Sequence, residues 1–182
     1  MPITPVRVRG VMLLLSLVLA SCSNTAKAPD VAGAVRDSLK QEGLTQVSVS
    51  QDRDKGVVTL QGSVAAEGEK ARAESIAKSV AGGQVIANEI AVLPVGTAGV
   101  AKTINADLDA GIKKNLDAEL LAHAPLHDQV KYEVKNGVVT LTGDVNSETA
   151  RTSAQQIAAR VPNVEQVVNE LQVKNQRATS TP

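Results

Sequence analysis

Apolar residues recur along the chain with two different periods. An interval of four residues occurs in two stretches and predicts a helix with one apolar face in each: Val31, Val35 and Leu39, then Leu108, Ile112, Leu116 and Leu120. Runs in which every second residue is apolar follow at residues 47–49 and 130–134, and these runs predict strands. Polar turns come next, and the second of them contains the Asn-Gly pair (Asn136, Gly137) that tight hairpins favour.

One segment of the chain appears twice. GVVTLQGSV at residues 56–64 returns as GVVTLTGDV at residues 137–145, at an offset of 81 residues (137 − 56). We expect this offset to hold through the whole unit without a gap, because it also relates apolar positions on both sides of the segment: Val31 and Ile112, Val35 and Leu116, Leu39 and Leu120, Ile76 and Ile157, Val80 and Val161, Ile86 and Val167, Val92 and Val173. Such a repeat predicts a duplicated domain.

The repeated segment is the second strand of each unit. In the first copy, Val58 and Leu60 fall on one face of this strand, and Val57, Thr59 and Gln61 fall on the other. An Ala-rich segment with helical spacing follows it, and a last strand closes the unit at residues 85–92 and 164–173.

The order helix, strand, strand, helix, strand predicts an α+β fold with two tandem small domains. In each domain, two helices are expected to cover the apolar face of a three-stranded mixed sheet. The second Ala-rich helix begins near Ser147, and either Asn146 or Ser147 is expected to cap it.

The repeat and the composition of the segments around it predict the domain organisation. We expect a signal peptide at residues 1–21, a tether at 22–29, the first domain at 30–93, a linker at 94–103, the second domain at 104–174 and a flexible tail at 175–182. The linker is predicted from Pro94, Gly96, Thr97 and Gly99, which disfavour regular structure.

Composition limits the core and the partners of the protein. Aromatic residues make up 1% of the 182 residues, so both cores must be built from Val, Ile, Leu and Ala, and we expect modest stability. Formal net charge is +0, which argues against a nucleic-acid partner, because such partners require a basic surface. Residues 30–93 carry seven basic against nine acidic residues, and residues 104–174 carry seven against ten.

The N-terminus has the layout of a secretory signal peptide. Arg7 and Arg9 precede an apolar run at residues 11–20, and small residues follow it. The run is about ten residues long, whereas a membrane-spanning helix needs roughly 20, so a permanent transmembrane helix is not expected.

The end of this segment, Leu19-Ala20-Ser21-Cys22, resembles the lipobox of bacterial lipoproteins. The resemblance implies that the Cys22 thiol receives a diacylglycerol through a thioether and that the chain is cut between Ser21 and Cys22. Cys22 is the only cysteine, so the chain has no intramolecular disulfide and no Cys-based zinc site. Ser23 follows it, which by the same resemblance implies the outer membrane, facing the periplasm. The alternative is an ordinary cleaved signal with an incidental cysteine.

The duplicated unit resembles the BON domain of bacterial envelope proteins. Both copies carry the G-V-V-T-L-x-G-x-V strand, the Ala-rich helix after it and a closing V-x-N-E-[IL]-x-V-like strand, so the resemblance covers about residues 30–174. A lipobox followed by two such domains is similar to dual-BON outer-membrane lipoproteins. This resemblance implies a role in envelope integrity or in osmotic and envelope stress, with contact to phospholipid.

The resemblance further implies that the first helix of the second domain, about residues 107–122, meets phospholipid head groups through Lys113 and Lys114. This helix has no aromatic residue, and four acids outnumber its two lysines: Asp107, Asp109, Asp117 and Glu119. The charge balance favours contact with an envelope protein or a second copy of the chain. A solvated helix face is a further alternative for both lysines.

Two further pairs of side chains have the spacing of metal ligands, and we interpret both as structural. His123 and His127 have a metal-ligand spacing, but Pro125 between them disfavours a helix, so loop histidines are expected. Asp52 and Asp54 resemble the start of a calcium loop that lacks its later ligands, and a charged turn is expected instead. No catalytic motif occurs, so we expect neither catalytic nor metal-binding residues, no cofactor and no enzyme activity.

Overall fold

The computed structural model of the chain describes residues 27–174. The predicted signal peptide, the cleavage site at Ser21 and Cys22, the first part of the predicted tether and the predicted tail at 175–182 lie outside the described residues.

Two α+β units follow one another along the chain and confirm the predicted fold class. The first contains α1 (Ala32–Gln41), β1 (Val47–Asp52), β2 (Val57–Val64), α2 (Glu67–Val80) and β3 (Val85–Val92). The second contains α3 (Ala98–Ala122), α4 (Ala124–His127), β4 (Val130–Lys135), β5 (Val138–Val145), α5 (Glu148–Arg160), β6 (Gln166–Asn169) and β7 (Gln172–Val173).

Both sheets are mixed, as predicted. β2 pairs with β1 in antiparallel and with β3 in parallel orientation, and β5 pairs in the same way with β4 and β6. The closing strand of the second domain is interrupted at Glu170 and Leu171, and on either side of them β6 and β7 pair with β5 in parallel and in the same register. At the interruption the Leu171 N–H donates to Asn169 Oδ1 at 3.2 Å.

Each core lies between the sheet and its two long helices. Val35 and Leu39 of α1 pack with Val58 and Leu60 of β2, as the alternation along β2 predicts. The equivalent residues of the second domain pack in the same way: Ile112, Leu116, Leu120, Val139 and Leu141. Fully burying one such side chain contributes about 1.5–3 kcal/mol. Alanines at the inner positions of α2 and α5 let these helices lie close to the sheet.

The repeat is less regular than a single offset implies. Val47 pairs with Gly62, and Val130 pairs with Gly143, so Val47 and Val130 occupy equivalent positions. The two valines are 83 residues apart in the sequence (130 − 47), whereas the two glycines are 81 residues apart (143 − 62). The hairpin loop of the second domain is two residues shorter, and its connection from first helix to first strand, which contains α4, is two residues longer. The expectation of one unbroken offset is therefore wrong for the first strands.

Helix α3 begins earlier than predicted. It starts at Ala98 rather than near residue 107, so the predicted linker 94–103 is partly helical. No proline lies between Pro94 and Pro125, and the Ala101 N–H donates to Thr97 O at 2.9 Å in the first turn. The buried residues of α3 begin only at Ile112, so its N-terminal half extends past the core of its own domain. Leu108 was expected in that core and is instead 43% exposed.

The two domains pack against each other through the sheet faces that point away from the helices. Val57 and Ala87 of the first domain form one apolar cluster with Val138 and Val168 of the second. The repeat offset of 81 maps Val57 onto Val138 and Ala87 onto Val168, so the contact has an approximate twofold relationship.

Charged and amide side chains surround this cluster. Lys55 Nζ lies 2.5 Å from Glu170, and Lys135 Nζ lies 3.0 Å from Glu89, the equivalent glutamate of the other domain. The hydrogen bond to Glu170 raises the pKa of Lys55 against the opposing effect of burial. Gln166 Nε2 donates to Ile86 O at 2.6 Å, and its Oε1 accepts from the Asn88 N–H at 3.1 Å. The Gln166 side chain therefore pairs with the edge strand β3.

Candidate functional site

Residues at the start of the described chain are bound to the first domain. The Ala28 N–H donates to Arg53 O at 2.8 Å, and Arg53 Nε donates to Ala28 O at 2.8 Å. Gln51 Nε2 donates to Pro29 O at 2.7 Å. The last part of the predicted tether, residues 27–29, therefore lies on the β1–β2 hairpin. Ala28 follows Cys22 by six residues in the sequence.

The structure places Lys113 and Lys114 on different sides of α3. Both side chains are exposed. Successive residues of a helix project about 100° apart, and Ile112 and Leu116 mark the buried side. Lys114 therefore lies nearly opposite the core, whereas Lys113 lies on the flank beside β4, where the hydroxyl oxygen of Tyr132 is 3.4 Å from the Lys113 carbonyl oxygen.

Two of the four acids of α3 have structural partners. Asp109 accepts hydrogen bonds from the backbone N–H groups of Asn136 at 2.8 Å and Gly137 at 2.9 Å, and so caps the second hairpin turn. Asp117 accepts from the Tyr132 hydroxyl at 3.1 Å. Partial burial, and then this hydrogen bond, raise the pKa of Tyr132. The sequence alone did not indicate these pairings.

Exposed apolar side chains on α3 are a second feature that sequence reasoning missed. Val100 is 65% exposed, Ile104 is 52% exposed and Leu121 is 61% exposed. Val100, Ile104 and Leu108 continue the four-residue series that leads to the buried Ile112, which makes them resemble core positions in the sequence. An interval of four advances by slightly more than one turn, so the series moves around the helix.

The two histidines lie near each other in sequence but have separate partners. Helix α3 ends before His123, whose Nδ1 lies 2.9 Å from Glu119 O. His127 Nδ1 lies 3.2 Å from Asp128 Oδ1. Within residues 27–174, no group of three His, Cys, Asp or Glu side chains is placed to hold a metal ion.

Asp52 serves the first hairpin turn. Its Oδ1 accepts hydrogen bonds from the backbone N–H groups of Asp54 at 3.0 Å and Lys55 at 3.1 Å. The carboxylate therefore satisfies backbone donors of the turn, as short polar side chains often do.

Two clefts open between the domains. One of ≈ 390 Å³ is lined by Ile90, Val92 and Pro94 of the first domain and by Ile104 and Leu108 of α3, among others. The other, of ≈ 440 Å³, lies over Asn88, Lys70 and Glu165. The described residues that line these two clefts include no His, Ser, Thr or Cys, so neither cleft holds a nucleophile beside a histidine base.

Membrane-spanning helices are not found in the described part of the chain: none of the helices in residues 27–174 is both long enough and apolar enough to cross a bilayer.

Comparisons with known proteins identify both units. The profile of the BON domain family matches residues 28–94 and 108–175. Osmotically-inducible protein Y of Escherichia coli (strain K12) is 29% identical over 134 residues. That match covers 73% of this chain and 65% of the relative, so the chain spans slightly less than two thirds of the curated relative that it matches.

Two solved structures are distantly similar to the chain. The C-terminal domain of CdsD, described as the structural protein of the type III secretion system of Chlamydia trachomatis, aligns at 15% identity with a TM-score of 0.33. The alignment covers 79% of this chain and 67% of that one. A second structure of CdsD aligns at 14% identity with a TM-score of 0.34, covering 80% and 92% of the two chains.

Proposed function

The chain belongs to the BON domain family, and from this premise we propose that it is a non-catalytic lipoprotein of the bacterial envelope, anchored through Cys22. Its role is to support outer-membrane integrity or the response to osmotic and envelope stress, and its second domain contacts phospholipid head groups. The likeness to osmotically-inducible protein Y supports the stress role.

The short connection between Cys22 and the first domain is the observation that carries this proposal. Residues 28 and 29 are hydrogen-bonded to the β1–β2 hairpin, so an acylated Cys22 holds the hairpin within about 20 Å of the bilayer. Two or more acyl chains give stable anchoring. With Ser23 after the cysteine, we place the anchor in the outer membrane, with both domains in the periplasm.

Contact with head groups is assigned to Lys113 and Lys114. Both are exposed, and neither has an ion-pair partner among residues 27–174. The capping role of Asp109 and the bond of Asp117 to Tyr132 direct these two carboxylates toward protein donors. A lysine near an anionic bilayer surface contributes about 1 kcal/mol.

Flotation with vesicles tests the head-group contact without the anchor. The mature chain, residues 22–182 with Cys22→Ser, is mixed with anionic or zwitterionic phospholipid vesicles. We expect flotation with anionic vesicles only, and its loss in the Lys113→Glu/Lys114→Glu variant. Lys131→Glu, at an exposed lysine on β4, is the control and should float like the parent protein. Absence of flotation with either vesicle refutes the head-group contact.

A labelling experiment tests the anchor separately. The full chain, expressed in a Gram-negative host with labelled palmitate, is expected to incorporate the label through Cys22. The Cys22→Ser variant should incorporate none and should fractionate away from the membranes. Label that persists in this variant contradicts the anchor.

A second candidate function is a lipid-anchored interaction module for another protein. The exposed apolar residues of α3 favour it, since a protein partner would remove these side chains from water.

A further inference from the structure

Helix α3 carries exposed apolar residues in addition to its buried apolar face. Ile112, Leu116 and Leu120 fill the core of the second domain. Of the six exposed large hydrophobic residues among residues 27–174, four lie on α3: Val100, Ile104, Leu108 and Leu121. Ile104 and Leu108 also line the cleft toward the first domain, whereas Val100 and Leu121 do not. Exposed apolar side chains gathered on one helix mark a candidate contact surface.

The exposed face has a regular spacing. Seven residues follow one another at alternating intervals of four and three, and all seven are exposed. We call them the outer seam: Val100, Ile104, Asp107, Gly111, Lys114, Ala118 and Leu121. This spacing keeps side chains on one line along a helix and is the spacing of helix–helix seams. The outer seam is about 32 Å long and lies opposite the buried Leu116.

The outer seam is complementary to itself when reversed. Gly111 is its middle residue, and Asp107 and Lys114 lie at similar distances on either side of it. Two copies aligned antiparallel about Gly111 bring each Asp107 within a turn of the Lys114 of the other copy. The same alignment sets the large Ile104 against the small Ala118. The complementarity is therefore one of charge as well as of shape.

We propose that the outer seam of α3 is the interface through which two copies of this chain associate, with the two helices antiparallel. The interface is isologous, because each copy contributes the same residues and the Asp107–Lys114 pair forms twice. Within one helix, Asp107 and Lys114 are seven residues apart, about 10 Å along the axis, and cannot pair with each other. This proposal does not depend on the anchor, and it competes with head-group contact for Lys114.

The predicted association is weak in solution. One pair of helices buries less than the roughly 800 Å² per partner of a standard interface, so we expect a dimer only at high micromolar concentration. Anchoring of both copies to one membrane would raise their effective concentration.

A charge-exchange experiment tests the predicted pairing. Analytical ultracentrifugation is carried out on residues 22–182 with Cys22→Ser, at concentrations up to about 1 mM. Asp107→Lys sets lysine against lysine on both sides of Gly111, and Lys114→Asp sets carboxylate against carboxylate there. Each variant alone is expected to dimerise roughly tenfold more weakly or not at all. An equimolar mixture restores both opposite-charge pairs and should recover the dimer. Lys102→Asp, at an exposed lysine of α3 outside the seam, is the control and should dimerise like the parent.

A second variant separates loss of the interface from loss of the fold. A Cβ added to Gly111 meets no atom within 4 Å, and glycine is a poor helix former, so Gly111→Gln should raise the melting temperature. The longer side chain fills the centre of the outer seam, and the dimer should be lost. Gly33→Gln, at the equally open Gly33 of α1, should leave the dimer intact.

The outcomes distinguish self-association from head-group contact. Asp107→Lys adds a cation to α3, so lipid contact through the seam predicts stronger flotation with anionic vesicles, whereas self-association predicts a weaker dimer. A parent protein that stays monomeric at all concentrations overturns the proposal, and so does a Gly111→Gln variant that remains a dimer. A dimer that behaves as predicted, with no flotation, supports the proposal and leaves the head-group contact refuted.

Discussion

At the scale of single residues, the repeated Asn-Glu pair of the closing strands has a clear structural role. Asn88 is 3% exposed, and its Nδ2 donates to Lys70 O at 3.3 Å and to the Glu74 carboxylate at 3.0 Å. Asn169 forms the same bonds in the second domain, to the equivalent partners Arg151 O at 3.2 Å and Gln155 Oε1 at 3.0 Å. A buried amide is costly without such partners, so each asparagine ties its strand to the preceding helix.

The partner of Asn88 makes the stability of the first domain depend on pH. The hydrogen bond from Lys78, and then that from Asn88, lower the pKa of Glu74 below its ordinary value of 4.5, against the opposing effect of burial. Because the folded pKa is the lower one, the stabilisation is complete above about pH 4.5 and is lost as the pH falls through the folded pKa.

Urea unfolding followed by circular dichroism checks this dependence between about pH 3 and pH 7. Glu74→Gln is expected to be less stable than the parent at pH 7, and the difference should shrink as the pH falls below 4.5. Glu133→Gln, at an exposed position on β4, is the control. A difference between Glu74→Gln and the parent that stays constant over the whole range contradicts the role given to Glu74.

At the scale of secondary-structure elements, the second glycine of the repeated strand motif marks a close approach of two backbones. Gly143 has φ 119°, and a Cβ placed on it would lie 2.4 Å from Gln129 O. Gly62 has φ 126°, and its Cβ would lie 2.3 Å from Gln46 O. Any side chain there must displace the start of the neighbouring strand, which explains why glycine occurs in both copies.

Gly143→Ala should therefore destabilise the protein by roughly 2 kcal/mol or more, through both the contact with Gln129 and the positive φ. Gly111→Ala in α3 is the matched control, since its Cβ meets nothing within 4 Å, and it should stabilise the helix by up to about 1 kcal/mol. The free energy of unfolding measured in urea decides the matter. Equal stabilities of the two variants would contradict this account of the motif.

The elements themselves follow from the sequence where a local pattern determines them. Alternation fixes which face of β2 is buried, and Ser147, one of the two predicted caps, accepts from the Ala150 N–H at 3.1 Å. The shift of the first strands was not visible in the sequence. The hairpin loop of the second domain is two residues shorter and its helix-to-strand connection is two residues longer, so the offset of 81 is the same before and after this strand. The N-terminal half of α3 was missed because its apolar series continues into the core, and periodicity does not tell which partner covers a residue.

The candidate site was less predictable than the fold for the same reason. Lys113 and Lys114 are on α3 as expected, but neighbouring residues of a helix face different directions, and the sequence gives no orientation relative to a partner. The contacts between the domains were also not predictable from the sequence. Val57 and Val138 occupy outward positions of their strands, and only the packing of one domain on the other buries them.

At the scale of the whole molecule, the arrangement of the domains depends on a small contact. Four apolar residues form its centre: Val57, Ala87, Val138 and Val168. The ion pairs Lys55–Glu170 and Lys135–Glu89 surround it and keep partial exposure, so added salt weakens them. Each domain has a core of its own, and the contact adds stability that neither domain has alone.

Val138→Asp tests how far the two domains act as one unit. The substitution places a carboxylate without a partner between the sheets, which should cost about 2 kcal/mol or more and separate the domains while both cores stay folded. We expect a larger radius of gyration in small-angle scattering and a broadened or two-step urea transition in place of one cooperative step. Val95→Asp introduces the same group at a valine that is 91% exposed and should leave both measurements unchanged. If Val138→Asp keeps the radius of gyration and the single transition of the parent, the domains are held together by the surrounding polar contacts, and the apolar cluster is not the centre of their docking.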